Sequence, residues 1–141
     1  MAIRVSAREI AEQLGGELIG QADLQIDRIG TLTSATASTI SFLSNPRYQA
    51  QLAQTLAGCV IVAPESRDGA ATRPSAVITS DPYLYFARLT QWWARRIRAR
   101  PLAGVHASAV VDGTARVAAT ACIGPGAVIE AGALVGDHTL L

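Results

Sequence analysis

The sequence has no long apolar run and no excess of charge of either sign. No stretch approaches about eighteen consecutive apolar residues, the length that suggests a membrane-spanning helix. The opening MAIRVSAREI also lacks the apolar centre of a secretion signal. We therefore expect a cytoplasmic protein without a membrane span. Twelve Lys and Arg residues against eleven Asp and Glu residues leave a formal charge of +1, which argues against a nucleic-acid partner.

Cysteine and histidine are also scarce. Cys59 and Cys122 lie far apart and lack the paired spacing of metal and redox motifs, so both are interpreted as ordinary buried or half-buried thiols. His106 and His138 are too few for a three-histidine zinc site. The sequence therefore predicts no metal site and implies no cofactor.

The first hundred residues mix helical and β-type patterns, which predicts an α/β domain. The segment VSAREIAEQLGG begins with Ser6 as an N-cap and Glu9 as its capping-box partner, and two glycines end it. Short β-type runs follow at ELIG, LQIDRIG, residues 40–43, residues 59–63 and residues 76–79. Residues 64–74, which are rich in charged and small side chains, are expected to form a loop.

Two further helices are predicted to begin at Asn45-Pro46 and Asp81-Pro82. Each pair joins a side chain that accepts backbone hydrogen bonds to a proline that is preorganised for the first helical position. After the second pair, four residues at helical spacing form an apolar stripe that we expect to pack in the core: Phe86, Leu89, Trp93 and Ile97.

The end of this last helix gathers four arginines: Arg95, Arg96, Arg98 and Arg100. Positive charge is favoured at a helix C-terminus, so a solvated helix end is the simple interpretation, and partner binding is the alternative. Pro101 closes the segment. It marks the predicted boundary between a domain of residues 1–101 and a second domain of residues 102–141.

The second domain is predicted from a six-residue repeat. From residue 105 the sequence divides into VHASAV, VDGTAR, VAATAC, IGPGAV, IEAGAL and VGDHTL, with Val or Ile always first and Ala fifth in five of the six. A solenoid of hexapeptide coils requires this register, with three sixes in each triangular coil and the aliphatic residue pointing inward. A chance periodicity in a disordered tail is the alternative, and the unbroken register argues against it.

The six hexapeptides would complete only two coils. A solenoid generally needs at least three repeat units and a cap that covers its last layer, and the sequence ends at Leu141 without one. An uncapped coil exposes unpaired backbone groups and apolar surface. We therefore expect this sequence to be the N-terminal part of a longer protein.

An ordered set of motifs carries a family resemblance. SFLSNPRYQAQLAQTLAGCVIVA, then DPYLYFAR, then the hexapeptides resemble the UDP-3-O-(3-hydroxyacyl)glucosamine N-acyltransferases of lipid A biosynthesis, and IRVSAREIAEQLGGELIG resembles the start of that family. The resemblance covers essentially the whole chain. It implies an α/β N-terminal uridine-binding domain followed by the start of a left-handed parallel β-helix.

The resemblance also implies the reaction and its partners. The full enzyme would transfer an (R)-3-hydroxyacyl group from acyl carrier protein to the 2-amine of UDP-3-O-(3-hydroxyacyl)glucosamine, with active sites between the subunits of a homotrimer. A solenoid histidine would act as general base, while a backbone N–H stabilises the oxyanion. That histidine belongs to later coils in the family, so neither His106 nor His138 inherits the role and no catalytic residue is expected in this chain.

The uridine-binding residues implied by the resemblance are Phe42, Asn45 and Tyr48. Two aromatic faces can sandwich a uracil ring, and an Asn amide offers a donor and an acceptor to the base. Core packing for Phe42, helix capping for Asn45 and helix packing for Tyr48 are the simpler alternatives. Arg47 could approach the diphosphate or lie in solvent. The residues of DPYLYFAR are explained by helix initiation and packing and are left out of the site.

Two other functions fit parts of the sequence. One is a short, non-catalytic nucleotide-binding or self-associating scaffold that uses its hexapeptide coils to associate. The other is a hexapeptide acyltransferase with a different acceptor, although the α/β domain and its F-x-x-N-x-x-Y pattern argue against it.

Overall fold

The computed structural model describes residues 3–98 and 101–141. These ranges form two compact units, which are treated separately below. Arg100, the last member of the predicted arginine cluster, lies outside the described residues. Within the described ranges, none of the helices combines the length and the apolarity needed to cross a bilayer.

The first unit contains four helices and seven strands. In chain order they are β1 Val5–Ser6, α1 Ala7–Leu14, β2 Glu17–Gly20, β3 Gln25–Ile26, β4 Arg28–Ile29, β5 Thr39–Phe42, α2 Gln49–Gln54, β6 Cys59–Val62, α3 Arg67–Ala70, β7 Ser75–Ile78 and α4 Pro82–Ile97. Short 3₁₀ turns, Pro46–Tyr48 and Pro64–Ser66, lead into α2 and α3. The predicted loop at residues 64–74 is therefore partly helical.

Five of the strands form one mixed sheet in the order β2-β7-β6-β5-β4. Strands β4 to β7 pair in parallel, and β2 pairs antiparallel with β7 at one edge. β1 and β3 form a separate antiparallel pair. The predicted α/β class is confirmed, because helices cover both faces of a largely parallel sheet.

Alternate residues of the central strands divide the core in two. Cys59, Ile61 and Val77 point to the face covered by α1 and α4, and Val60 and Val62 point to the face covered by α2 and α3. All five are fully buried, which is why β6 and β7 read as continuous apolar runs rather than as alternating patterns.

The predicted helix starts are largely confirmed. Ser6 accepts the Glu9 N–H at 3.1 Å, Asn45 accepts the Arg47 N–H at 3.0 Å, and Asp81 accepts a backbone N–H of α4 at 2.9 Å. The capping box is incomplete, however, because the Glu9 carboxylate pairs with Arg96 of α4. A long-range ion pair has replaced the local bond.

The stripe predicted on α4 is correct for three of its four members. Leu89 and Trp93 are buried and Phe86 is half-buried, whereas Ile97 is 56% exposed at the end of the helix. Tyr85 is buried instead, and its hydroxyl donates to the Gly15 carbonyl at 2.9 Å. α4 therefore packs through a broader face than the predicted stripe.

The second unit consists of six two-residue strands. They are β8 Gly104–Val105, β9 Val110–Val111, β10 Arg116–Val117, β11 Cys122–Ile123, β12 Val128–Ile129 and β13 Leu134–Val135. Each of the first three pairs in parallel with the strand eighteen residues later, as Val110 does with Val128. This is the pairing expected when three hexapeptides make one coil.

Hydroxyl groups link the turns of successive coils in the second unit. Ser108, Thr114 and Thr120 accept the N–H groups of Gly126, Gly132 and His138, each at 3.0 or 3.1 Å. The three donors all have positive φ angles, of 74°, 71° and 57° in that order. The turns of the second coil are therefore fixed by side chains of the first.

Candidate functional site

A cavity of the first unit lies where β4 stops and β5 continues. Its volume is about 430 Å³, within the size range typical of small-molecule sites. The wall is formed by the chain after β4, the end of β5, the Asn45 turn, α2 and one residue of α4. The lining residues are Ile29, Gly30, Thr31, Leu32, Ser41, Phe42, Leu43, Ser44, Asn45, Tyr48, Gln51 and Phe86.

All three residues predicted to bind uridine line this cavity. Phe42 ends β5, Asn45 precedes the 3₁₀ turn, and Tyr48 ends that turn. Phe42 is half-buried, and Tyr48 is 48% exposed. Phe42, which is part of the sheet, and Tyr48, which is partly exposed, thus line the same cavity.

Phe42 is held in place by aromatic neighbours from α4. Its ring stacks on Phe86 with 4.0 Å between centroids and 21° between planes, and Tyr83 meets it edge-on at 6.2 Å. Stacked and edge-to-face arrangements are both favoured by the ring quadrupoles. One face of Phe42 is covered by Phe86, so a ligand would stack against the other.

Asn45 already has a structural role. Its Oδ1 accepts the Arg47 N–H, so the capping alternative considered for this residue is correct as a description of the free protein. The Nδ2 group makes no hydrogen bond to any described residue and remains available as a donor. Capping and ligand binding are therefore compatible.

The cavity wall has no ionisable acid or base apart from the Tyr48 phenol. Its polar side chains are hydroxyls and amides, namely Thr31, Ser41, Ser44, Asn45, Tyr48 and Gln51. Such a wall suits a flat, uncharged ring with hydrogen-bonding edges. Arg47 lies next to the cavity in sequence and is exposed, but it does not line the wall.

The other candidate groups do not form a reactive site. Burial is the main cause that raises the pKa of the Cys59 thiol to about 12, so this group stays protonated near neutral pH. The His106 ring is exposed, and its Nδ1 contacts the Ser108 hydroxyl at 2.8 Å. Across residues 3–98 and 101–141, no three His, Cys, Asp or Glu side chains are grouped as metal ligands.

The described part of the arginine cluster lies at the end of α4. Arg96 pairs with Glu9 and lies over the Trp92 ring, with 4.7 Å between its guanidinium carbon and the ring centroid. Arg95 and Arg98 are exposed. At least one member of the cluster thus has a structural role in joining α4 to α1.

Phe86 and the segment after β4 line the cavity, although neither is predicted from the sequence as part of the site. Phe86 lies 44 positions after Phe42 in the sequence, and only the packing of α4 on the sheet joins their rings. Gly30, Thr31 and Leu32 carry no motif that separates them from an ordinary loop. The resemblance of DPYLYFAR to a family segment was the one signal that pointed to Phe86.

The first unit thus combines an α/β fold with a small cavity whose wall is uncharged and partly aromatic. Comparison with known proteins shows which family this unit resembles. Residues 23–92, which include the cavity, match the family model for UDP-3-O-(3-hydroxymyristoyl) glucosamine N-acyltransferase, LpxD.

Three curated relatives illustrate the similarity, and each is named UDP-3-O-acylglucosamine N-acyltransferase. The protein of Leptothrix cholodnii is 55% identical over 139 residues, which cover 99% of this chain and 41% of the relative. That of Delftia acidovorans is 52% identical over 118 residues, or 83% of this chain and 35% of the relative. That of Paracidovorax citrulli is 49% identical over 138 residues, or 97% and 41%.

The chain belongs to the UDP-3-O-acylglucosamine N-acyltransferase family. It spans about two fifths of the length of these curated relatives, 41% in the case of the Leptothrix protein.

Proposed function

We propose that the cavity of the first unit binds the uracil ring of a uridine diphosphate sugar, between Phe42 and Tyr48 and with Asn45 beside it. The observation that carries this proposal is that the three residues line one cavity of about 430 Å³. The Phe42 ring is already oriented by Phe86, and the wall has hydroxyl and amide groups rather than fixed charges. Base stacking on aromatic side chains contributes about 1–3 kcal/mol per base in comparable sites.

The same proposal assigns the activity of the whole protein. In this proposal the whole protein acts in the cytoplasm, during lipid A biosynthesis. The protein transfers an (R)-3-hydroxyacyl group from acyl carrier protein to the 2-amine of UDP-3-O-(3-hydroxyacyl)glucosamine. The names of the relatives support a UDP-3-O-acylglucosamine acceptor and the transfer of an acyl group to nitrogen. Within the protein, this chain contributes uridine recognition and does not contribute the general base.

The domain assignments follow. Residues 1–101 form the uridine-binding domain, and residues 102–141 form the first two coils of a left-handed parallel β-helix. The eighteen-residue pairing and the six-residue spacing of aliphatic residues support the second assignment. Active sites between the subunits of a homotrimer belong to the same proposal. The proposal assigns the general base to neither His106 nor His138; the His106 ring contacts a turn hydroxyl of its own coil.

A titration of this chain tests the central part of the proposal. The amide spectrum of the isotopically labelled chain is recorded with UMP, with UDP-N-acetylglucosamine and with CMP. Saturable shifts at Phe42, Asn45 and Tyr48 with the two uridine ligands, and weaker shifts with CMP, are expected. Shifts that saturate elsewhere, or a folded chain that binds neither uridine ligand, would contradict it.

Two variants localise the binding. Tyr48→Leu removes one stacking face and should weaken UMP binding by roughly tenfold, the equivalent of about 1.4 kcal/mol. Leu56→Ala is the matched control, because Leu56 is 71% exposed and lines a neighbouring cavity of about 260 Å³. Equal losses in the two variants would count against the assigned cavity.

A further inference from the structure

Three hydroxyl side chains at the turns of the first coil link this coil to the second. They are Ser108, Thr114 and Thr120, and each accepts a backbone N–H from the residue eighteen positions later. A hydroxyl that accepts such a bond still has its own proton to donate. The partner for that proton differs among the turns: it is a histidine at the first turn and an aspartate at the other two.

His106 is the partner at the Ser108 turn. The Ser108 N–H donates to Nδ1 of the ring at 3.1 Å, so Nδ1 carries no proton and the neutral ring is protonated at Nε2. The Ser108 hydroxyl lies 2.8 Å from the same nitrogen and therefore donates to it. Its oxygen accepts the Gly126 N–H at 3.1 Å. A continuous chain of hydrogen bonds thus runs from the second coil through Ser108 to the imidazole.

Asp112 occupies the same place at the Thr114 turn. Its Oδ1 accepts the Thr114 N–H at 2.8 Å and the Thr114 hydroxyl at 2.6 Å, and the hydroxyl oxygen accepts the Gly132 N–H at 3.0 Å. The bond from the hydroxyl is the main cause that lowers the pKa of Asp112 from its usual value of 3.8. The two turns therefore share one hydrogen-bond pattern and differ in the group that accepts.

The surroundings of the His106 ring contain few other groups that titrate. β8 pairs with β11, and this register places His106 opposite Gly124. The titratable side chain of β11 is the half-buried Cys122, and residues 101–109 and 121–128 contain no Asp, Glu, Lys or Arg. Leu141, which carries the carboxyl group that ends the sequence, accepts the Gly124 N–H through its carbonyl at 2.7 Å. Protonation of the ring therefore acts mainly on its bonds to Ser108.

We propose that His106 makes the link between the first two coils sensitive to pH at the Ser108 turn. Imidazole ordinarily changes its charge between about pH 5 and pH 8, whereas a carboxylate gains a proton at about pH 4. A proton on Nδ1 would point at the Ser108 N–H, so the charged ring must leave the turn. The Ser108 hydroxyl then loses the acceptor that orients it toward Gly126.

The direction of the effect follows from where the proton binds. The linked state excludes a proton from Nδ1, whereas the released state accepts one, so the link weakens as the pH falls. The Thr114 turn keeps its carboxylate acceptor over the same range of pH. Acid should therefore loosen the two coils at one turn and leave the equivalent turn closed.

The test follows two amides of the whole chain, Gly126 at the Ser108 turn and Gly132 at the Thr114 turn. Their protection from exchange with water is measured by NMR at about pH 8 and about pH 5. The ratio of the two protection factors cancels changes that affect the whole unit. His106→Asp installs the acceptor of the Thr114 turn. His138→Asn is the matched control, because it removes the other histidine and asparagine tolerates the φ of 57° at this position.

We expect the protection of Gly126 relative to Gly132 to fall by roughly threefold or more between about pH 8 and about pH 5. The same fall is expected in His138→Asn, and a constant ratio in His106→Asp. The ¹⁵N spectrum of the imidazole at the higher pH should show the proton of His106 on Nε2.

A constant ratio in the unmodified chain would overturn the inference, as would a pH-dependent ratio in His106→Asp. Loss of the pH dependence in His138→Asn would transfer the effect to His138 and also overturn it. A neutral ring protonated at Nδ1 would show that the bond from the Ser108 N–H is not formed, which contradicts the basis of the proposal.

Discussion

The rings of Phe42 and Phe86 stack with 4.0 Å between their centroids and 21° between their planes. This contact joins the end of β5 to α4 and fixes one wall of the cavity. Because the Phe86 ring covers one face of Phe42, a ligand can stack only against the other face. In the proposed uridine site, Phe86 is therefore a positioning residue that acts on the ligand through Phe42.

Phe86→Leu should therefore weaken UMP binding. Loss of an aromatic stack costs about 0.5–1.5 kcal/mol, which corresponds to roughly 2- to 10-fold in affinity. Phe86→Tyr keeps the stack and should restore the affinity. Calorimetric titration with UMP measures both.

Leu89→Val controls for a simple loss of stability. Leu89 is fully buried in the same core on the same helix, and its truncation should lower the melting temperature without changing the affinity for UMP. If Phe86→Leu lowered the melting temperature but bound UMP as the unmodified chain does, the positioning role would be wrong.

Asn45 combines two roles that substitutions can separate. Asn45→Ser keeps an N-cap oxygen but removes the Nδ2 donor, whereas Asn45→Ala removes both. Both variants should lose roughly 3- to 10-fold in UMP affinity, the effect of one hydrogen bond of about 1 kcal/mol. Only Asn45→Ala should also lower the melting temperature. Full affinity in Asn45→Ser would reduce Asn45 to a capping residue.

Much of the fold could be predicted because its causes are local. Ser6, Asn45 and Asp81 each bond to backbone groups two or three positions away, so the sequence around them was sufficient. The eighteen-residue pairing also follows from a pattern written in consecutive residues.

The features that escaped prediction depend on distant contacts. Glu9 is bonded to Arg96, 87 positions away, rather than to its local capping partner. Phe86 joins the cavity only because α4 packs against β5 and brings its ring onto that of Phe42. Such pairings depend on tertiary packing, which local propensity does not determine.

The positive φ angles of the second coil predict a difference between two glycines. Gly126 has a φ of 74°, and Gly113, which has no such angle, is the matched control; both have open space around the missing Cβ. Gly126→Ala should destabilise the second unit by about 1 kcal/mol, because an L side chain is strained in this region. Gly113→Ala should be neutral or slightly stabilising. Hydrogen exchange of the Val110 and Val128 amides measures the effect, and equal exchange in the two variants would contradict the prediction.

The ion pair between Glu17 and Arg67 predicts a pH-dependent contribution to stability. The hydrogen bonds from Arg67, at 2.6 and 2.8 Å, lower the pKa of Glu17 from its usual value of 4.5. A carboxylate with a lowered pKa in the folded state stabilises that state above the unfolded pKa, and the effect is lost as the pH falls through the folded pKa. Both side chains are about half exposed, so the effect should be small.

Chemical denaturation of the unmodified chain and of Glu17→Gln between about pH 7 and pH 3 checks this sign. The difference in unfolding free energy should favour the unmodified chain at neutral pH and shrink below the usual pKa of 4.5. Glu12→Gln is the control, because Glu12 forms no ion pair with any described residue. A difference that grew as the pH fell would contradict the assignment.

The most direct test of the uridine site is the measurement of nuclear Overhauser effects between UMP and this chain. Aromatic rings that pack together have centroids about 4.5–7 Å apart. The H5 and H6 protons of a uracil ring stacked between Phe42 and Tyr48 should therefore lie within about 5 Å of ring protons on both residues. We predict cross-peaks from these protons to the ring protons of both Phe42 and Tyr48. Saturable UMP binding with cross-peaks to neither ring would show that the base binds elsewhere and would contradict the account.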